Sequence, residues 1–169
     1  EGANSGRSAV FCRFSGCNLW SGHEIDRADA ICNFCDTNFV GTDGLNGGKF
    51  EEASELAEII NKVWNTRVKT KQNKFIVCTG GEPLLQLDTK LIEAFHKFGF
   101  DVAVETNGTK AAPSNIDWIC VSPKTKVSDL VITSGNELKL VYPQKLVKPE
   151  QFENFKFDLF YLVPMDGQE

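Results

Sequence analysis

The residues with the most chemistry in this chain are three thiols in one short stretch, Cys17, Cys32 and Cys35. A C-x-x-C pair alone serves either a redox couple or half of a zinc site. A third thiol upstream, with the aromatic Phe34 inside the pair, points to a metal. Three thiolates on one loop can hold three irons of a four-iron four-sulfur cluster, which leaves the fourth iron open to a small molecule bearing an amine and a carboxylate. Cys12 keeps a second reading open, because with it the spacing becomes C-x4-C-x14-C-x2-C and can close a tetrahedral zinc site. Against zinc, Cys12 lies in the strand pattern S-A-V-F-C-R-F on the face shared by Val10 and Phe14, and is expected in the core. Cys78 and Cys120 are read as ordinary buried strand cysteines.

Further polar residues fall where strands should end. In T-G-G-E-P, Thr79 to Pro83, the paired Gly80 and Gly81 let a ligand lie against bare backbone, although a plain strand-to-helix turn uses the same residues. Glu105 shares a strand face with Ala103. A buried carboxylate needs a partner, either a ligand group or a local lysine. Arg13 shares a face with Phe11 and can fork onto a substrate carboxylate or form a structural ion pair. Thr37 can contribute a hydroxyl to magnesium or serve as a cap. Lys124 can pair with a ligand carboxylate or face solvent. His23 and His96 show no metal-ligand spacing.

The elements that must position these groups follow from pattern. Strands are expected over Ser8 to Phe14, Phe75 to Cys78, Asp101 to Thr106, Asp117 to Ser122, Glu137 to Tyr142 and Leu159 to Val163, from their β-branched and alternating apolar content. Helices are expected from Lys49 to Asn65, with an apolar face of Ala53, Leu56, Ala57, Ile60, Val63 and Trp64, and from Asp88 to a stop at Gly99. A third is expected over Lys148 to Phe155, with Pro149 in its first turn. The polar run Thr66 to Lys74 reads as a solvated turn. Strand, helix, strand order implies parallel pairing, so the fold class is α/β, an incomplete curved parallel barrel of six strands and three helices. In such a barrel the C-terminal strand ends carry the site.

At 169 residues with 41% apolar content the chain fits one domain with a real core. A net charge of -5 argues against a nonspecific nucleic-acid or membrane surface, and no run is long and apolar enough to read as a membrane helix. No signal peptide is visible, so a cytoplasmic setting is expected, where six cysteines bind metal or sit buried rather than form disulfides. The chain starts at Glu1 without methionine and stops at Glu169 just past a strand pattern, and both ends are expected to be incomplete.

The segments G-R-S-A-V-F-C-R-F-S-G-C-N-L-W, C-D-T, C-T-G-G-E-P-L-L-Q, V-E-T-N-G-T, D-W-I-C-V-S-P-K, E-L-K-L-V-Y-P and P-M-D-G together resemble the radical S-adenosylmethionine superfamily. Within it they are most similar to the 7-carboxy-7-deazaguanine synthase family of queuosine and 7-deazapurine biosynthesis. The superfamily usually spaces its cysteines C-x3-C-x2-C; the fourteen residues between Cys17 and Cys32 match one branch of this family. Where this chain has Val163, the family tends to have glutamine.

The resemblance implies one radical SAM domain over residues 1–169, without the family's N-terminal and C-terminal segments. It implies a carbon-nitrogen lyase that contracts the ring of 6-carboxy-5,6,7,8-tetrahydropterin with loss of ammonia. Cys17, Cys32 and Cys35 would ligate the 4Fe-4S cluster, and S-adenosylmethionine would chelate the open iron. Phe34, Gly80, Gly81, Ser122, Pro123, Lys124 and the turn Val163, Pro164, Met165 and Asp166 would hold that cofactor. Arg13, Thr79 and Glu105 would grip the pterin, and Thr37 would contribute to a magnesium ion. An electron donor such as flavodoxin and a homodimer are implied as partners. The competing readings are another radical enzyme, such as a glycyl-radical activase, and a structural zinc module.

Overall fold

Six runs of strand-type sequence pair side by side in chain order: β1 (Val10–Phe14), β2 (Lys74–Gly80), β3 (Phe100–Thr106), β4 (Trp118–Val121), β5 (Ser134–Tyr142) and β6 (Lys156–Pro164). All five pairings are parallel. The computed structural model describes residues 2–69 and 73–165. Among them β1 and β6 pair with one neighbour each and not with one another. The sheet is therefore an open arc, as an incomplete barrel requires. Its inner face is a common wall, because side chains from all six strands border one cavity.

Helices cover the outer face of the first half. α1 (Ala53–Arg67) and α2 (Thr89–Lys97) pack on β1, β2 and β3 through Ala57, Ile60, Trp64, Ile92 and Phe95. α1 begins four residues after the expected start at Lys49, at the first residue of its apolar face, because Glu52 and Glu55 form a capping box that fixes the first turn there. α2 starts after Asp88, whose carboxylate accepts from the Leu91 amide at 2.9 Å, and the chain leaves it through Gly99 at a φ of 80°.

The second half is covered differently. Where a third helix is expected, the chain forms only a 3-10 turn, Pro149–Phe152. The Phe155 amide bonds the Phe152 carbonyl at 3.0 Å, and the two rings meet edge to face with centroids 5.3 Å apart. Spacing of three brings such side chains into line on a 3-10 turn, which lets eight residues place both rings under the sheet with Leu138, Leu140 and Phe157. Phe75, Val77 and Ala103 form a small apolar floor on the inner face, flanked by Trp118.

Candidate active site

The C-terminal ends of the strands open into a cavity of about 700 Å3, and most of the polar residues singled out in the sequence line it. Strand alternation decides which side chains arrive there. In β1 the burial pattern alternates, so Val10, Cys12 and Phe14 face the helices while Phe11 and Arg13 face the cavity. Cys12 is thus packed with Ile76, Cys78 and Ile92, on the opposite side of the sheet from the other three thiols of its spacing pattern. A four-cysteine zinc site cannot form from that arrangement.

Cys17, Cys32 and Cys35 all stand at the cavity wall, and none is in a disulfide. The segment between them is folded rather than slack. Leu19 and Trp20 are buried, Trp20 meets Phe39 edge-on at 5.6 Å, and the Cys32 amide bonds the Leu19 carbonyl at 3.3 Å. The Leu19 amide points at Cys17 Sγ, 3.5 Å away. Burial pushes the Cys17 thiol up, against the amides of Leu19 and Trp20. Cys32 and Cys35 hydrogen-bond to one another, which lowers Cys35 to about 6 and raises Cys32. Cys35 thus gives up its proton more easily than Cys32, and a thiol must be deprotonated to bind a metal. Among the described residues no three candidate ligands are close enough to share a single metal ion. Zinc with bonds of about 2.3 Å draws its sulfurs to within about 4 Å, whereas thiolates of a polynuclear cluster each reach a different iron. Three thiols that border one open volume can each reach a different iron of a cluster placed in it.

The T-G-G-E-P turn is stitched to this loop. The Gly81 amide bonds the Phe14 carbonyl and the Glu82 amide bonds the Gly16 carbonyl, both at 2.9 Å. A Cβ on Gly80, which has a φ of 118°, would collide with the Phe14 backbone, and one on Gly81 would collide with the Gly16 carbonyl and lie 3.1 Å from Cys17 Cβ. The chain's own cysteine loop therefore requires both glycines. Glu82 is fully buried. Its Oε1 accepts from Thr106 Oγ1 at 2.7 Å and the Leu84 amide at 3.0 Å, and its Oε2 accepts from the Asn107 amide at 2.8 Å. Burial raises its carboxyl despite those three bonds. Asn107 continues the chain of contacts to Asn18 Oδ1 at 3.0 Å, beside Cys17. The ends of β2 and β3 and the cysteine loop are one hydrogen-bonded unit.

Deeper in the cavity, Glu105 meets Lys139 Nζ at 2.9 Å, so the local-lysine partner expected as its plain alternative is present. Lys139 is 7% exposed. Glu137, two residues earlier on the same face of β5, accepts from the Ala3 amide at 3.2 Å and hydrogen-bonds Cys120, which faces the cavity, unlike Cys78. Arg13 lines the same wall and has no carboxylate partner among the described residues. Lys124 bonds Ser122 Oγ at 2.6 Å and sits 5.7 Å from the Phe34 ring centroid. Burial pulls its ammonium down and the neighbouring Cys32 pushes it back up. Thr37 lies at the cavity wall with its hydroxyl 3.2 Å from Asp36 Oδ1.

Of the residues singled out in the sequence, Thr79, Val163, Pro164 and Met165 also line the cavity. Pro123 does not; it is buried, and its carbonyl accepts from Gln144 Nε2 at 3.2 Å. Asp166 lies outside the described residues. Sequence reasoning passed over Glu82, Lys139 and Glu137. The last two carry a readable signal: in E-L-K-L-V the charges alternate with leucines, so one face of an interior strand of the sheet is ionic.

The radical SAM superfamily model matches residues 26–126. The 7-carboxy-7-deazaguanine synthases of Bradyrhizobium diazoefficiens and Caulobacter vibrioides are 59% and 57% identical over 169 residues, all of this chain and 79% of each relative. That of Bacteroides thetaiotaomicron is 40% identical over 167 residues, covering 97% of this chain and 75% of that protein. The crystal structure of QueE from Escherichia coli superposes with a TM-score of 0.59 at 21% identity, covering 94% of this chain and 76% of that one; it shows the shared fold.

Proposed function

This chain belongs to the 7-carboxy-7-deazaguanine synthase family of the radical SAM superfamily, and we propose that it performs that family's reaction. The reaction is the ring contraction of 6-carboxy-5,6,7,8-tetrahydropterin to 7-carboxy-7-deazaguanine with loss of ammonia, a carbon-nitrogen lyase step of queuosine and 7-deazapurine biosynthesis. One observation carries the reading: three non-disulfide thiols and a guanidinium without a carboxylate partner among the described residues share the wall of one cavity.

Cys17, Cys32 and Cys35 hold the 4Fe-4S cluster in this reading. When bound with S-adenosylmethionine it supplies one-electron cleavage of the sulfonium and removal of hydrogen from the substrate carbon bearing the carboxylate. The chain's own residues bind, orient and exclude water. Phe34 would pack beside the adenine, and Ser122 and Lys124, with Val163 to Asp166, would receive the remainder of the cofactor. Pro123 supports them from beneath, through its buried carbonyl contact to Gln144. Gly80 and Gly81 would offer bare backbone to the methionyl group. The Gly81 amide is already occupied by Phe14, so this contact does not use that N–H.

On the substrate side, Arg13 forks onto the pterin carboxylate and Thr79 lies beside it, one register step along from Gly80. Lys139 fixes the orientation of the Glu105 side chain, whose oxygens can accept from the substrate's N–H groups. Thr37, with Asp36 adjacent, offers oxygen to a magnesium ion that keeps most of its waters. The floor of Phe75, Val77 and Ala103 keeps water from the reacting carbon. No protein nucleophile is needed. The chain acts as a single radical SAM domain, as a homodimer in the cytoplasm, reduced by a flavodoxin-like donor.

The test is anaerobic turnover of the reconstituted protein with S-adenosylmethionine, reductant and the carboxylated tetrahydropterin. Ammonia and a deazapurine are expected in equal amounts. A cluster-loaded protein that releases no ammonia in response to substrate overturns the reading.

A further inference from the structure

Between Cys17 and Cys32 the chain forms a 3-10 turn, Glu24–Asp29, and one side chain on it reaches out of the turn to the second half of the cysteine loop. Arg27 Nη1 donates to the carbonyl of Asn33 and to that of Cys35, both at 3.0 Å. The guanidinium is held on its other edge by Glu24, with Nε to Oε2 at 2.7 Å and Nη2 to Oε1 at 2.5 Å. Its flat face lies over the Trp20 ring, 4.1 Å from the centroid. Trp20 is itself fixed, buried against Phe39 and donating from Nε1 to the His23 carbonyl at 3.2 Å. The arginine is therefore constrained by a carboxylate, an indole and two carbonyls at once.

We propose that Arg27 is a positioning residue for the thiol site: it clamps the Cys32–Cys35 turn from outside the cavity and places positive charge behind it. The geometry asks for arginine specifically. A planar fork can meet a carboxylate on one edge and two carbonyls on the other, which a single ammonium cannot do. Without it, two turn carbonyls lose the Arg27 donor, the only side-chain donor they have among the described residues, and the spacing of the thiols is left to a short loop. The inserted turn is thus the scaffold that makes the C-x-x-C turn rigid, in a chain where fourteen residues separate Cys17 from Cys32.

The charge effect rests on the cluster reading above; the clamp does not, and the experiment separates them. In metal-free full chain, Arg27→Gln is expected to speed amide hydrogen exchange in the 32–37 segment several-fold. Exchange in β2 and β3 should stay unchanged, which shows that the variant is folded. In reconstituted protein, the same substitution leaves Glu24 uncompensated and is expected to make the cluster about tenfold harder to reduce, a midpoint lower by about 59 mV for one electron. Arg27→Lys is expected to restore most of the potential but not the slow exchange, and Glu24→Gln to raise the potential. Unchanged exchange in Arg27→Gln overturns the clamp whether or not a cluster forms. An unchanged midpoint overturns the charge effect, and a wild-type chain that takes up no iron overturns it together with the cofactor reading.

Discussion

Removing the Glu82 carboxylate tests whether the loops around the cavity are one unit. Glu82 is fully buried and accepts from three donors belonging to Thr106, Leu84 and Asn107. In Glu82→Ala these donors lose their acceptor at about 1–3 kcal/mol each, and with water entering the vacated space we expect a net loss of about 3–5 kcal/mol. For a domain of this size that corresponds to a Tm lower by roughly 6–20 °C. In Glu82→Gln the amide can keep the Oε1 contacts, but its NH2 then faces the Asn107 N–H, so a loss of about 1–3 kcal/mol is expected.

The pH dependence supplies a second check on Glu82. Burial lifts this carboxyl above its ordinary value of 4.5. The unfolded chain therefore loses its proton first, and the stability contributed by Glu82 falls as pH rises from 4.5 until the folded carboxyl has ionised. Glutamine has no proton to lose, so the gap between wild type and Glu82→Gln should narrow over that window. Thermal and urea unfolding of metal-free protein, followed by circular dichroism, measures both effects. A Glu82→Ala protein melting within about 2 °C of wild type, which is no more than ~1 kcal/mol, would refute the reasoning.

Other outcomes follow from the same geometry. Gly81→Ala should force the Gly16 carbonyl and Cys17 aside at a cost of about 1–3 kcal/mol and reduce iron uptake during reconstitution, read as iron per chain. A double-mutant cycle with Lys139→Met and Glu105→Gln, measured by urea unfolding, should give a coupling of ~1 kcal/mol; zero coupling would mean the pair seen at 2.9 Å does not hold Glu105.

The sequence carried the architecture because the strands alternate cleanly and the helices have caps. Val10, Cys12 and Phe14 alternate against Phe11 and Arg13, which placed Cys12 in the core and Arg13 on the opposite face; the structure has that face lining the cavity. The segment from Lys148 to Phe155 was less legible. Its apolar spacing of three fits a helix and a 3-10 turn equally well, and only packing of both phenylalanines under β5 and β6 chooses. Around the site, the types of residue were readable but their pairings were not. Glu105 could have met a ligand or a lysine, and only the register of β4 between β3 and β5 brings Lys139 to it. Glu82 looked like part of a turn because its three donors lie at the end of a strand more than twenty residues away or in its own turn. The clamp by Arg27 joins residues six and eight positions apart through backbone carbonyls, which leave no mark in the pattern of side chains.

In the proposed site, Cys17, Cys32 and Cys35, and not Cys12, hold an iron–sulfur cluster. Anaerobic reconstitution of wild type, Cys12→Ser and Cys32→Ser, each with an iron and sulfide count and a visible spectrum, measures it most directly. About four irons per chain and a brown colour are expected in wild type and Cys12→Ser, and loss of both in Cys32→Ser. A colourless wild-type protein carrying one zinc, or a cluster that survives in Cys32→Ser but not in Cys12→Ser, would contradict it.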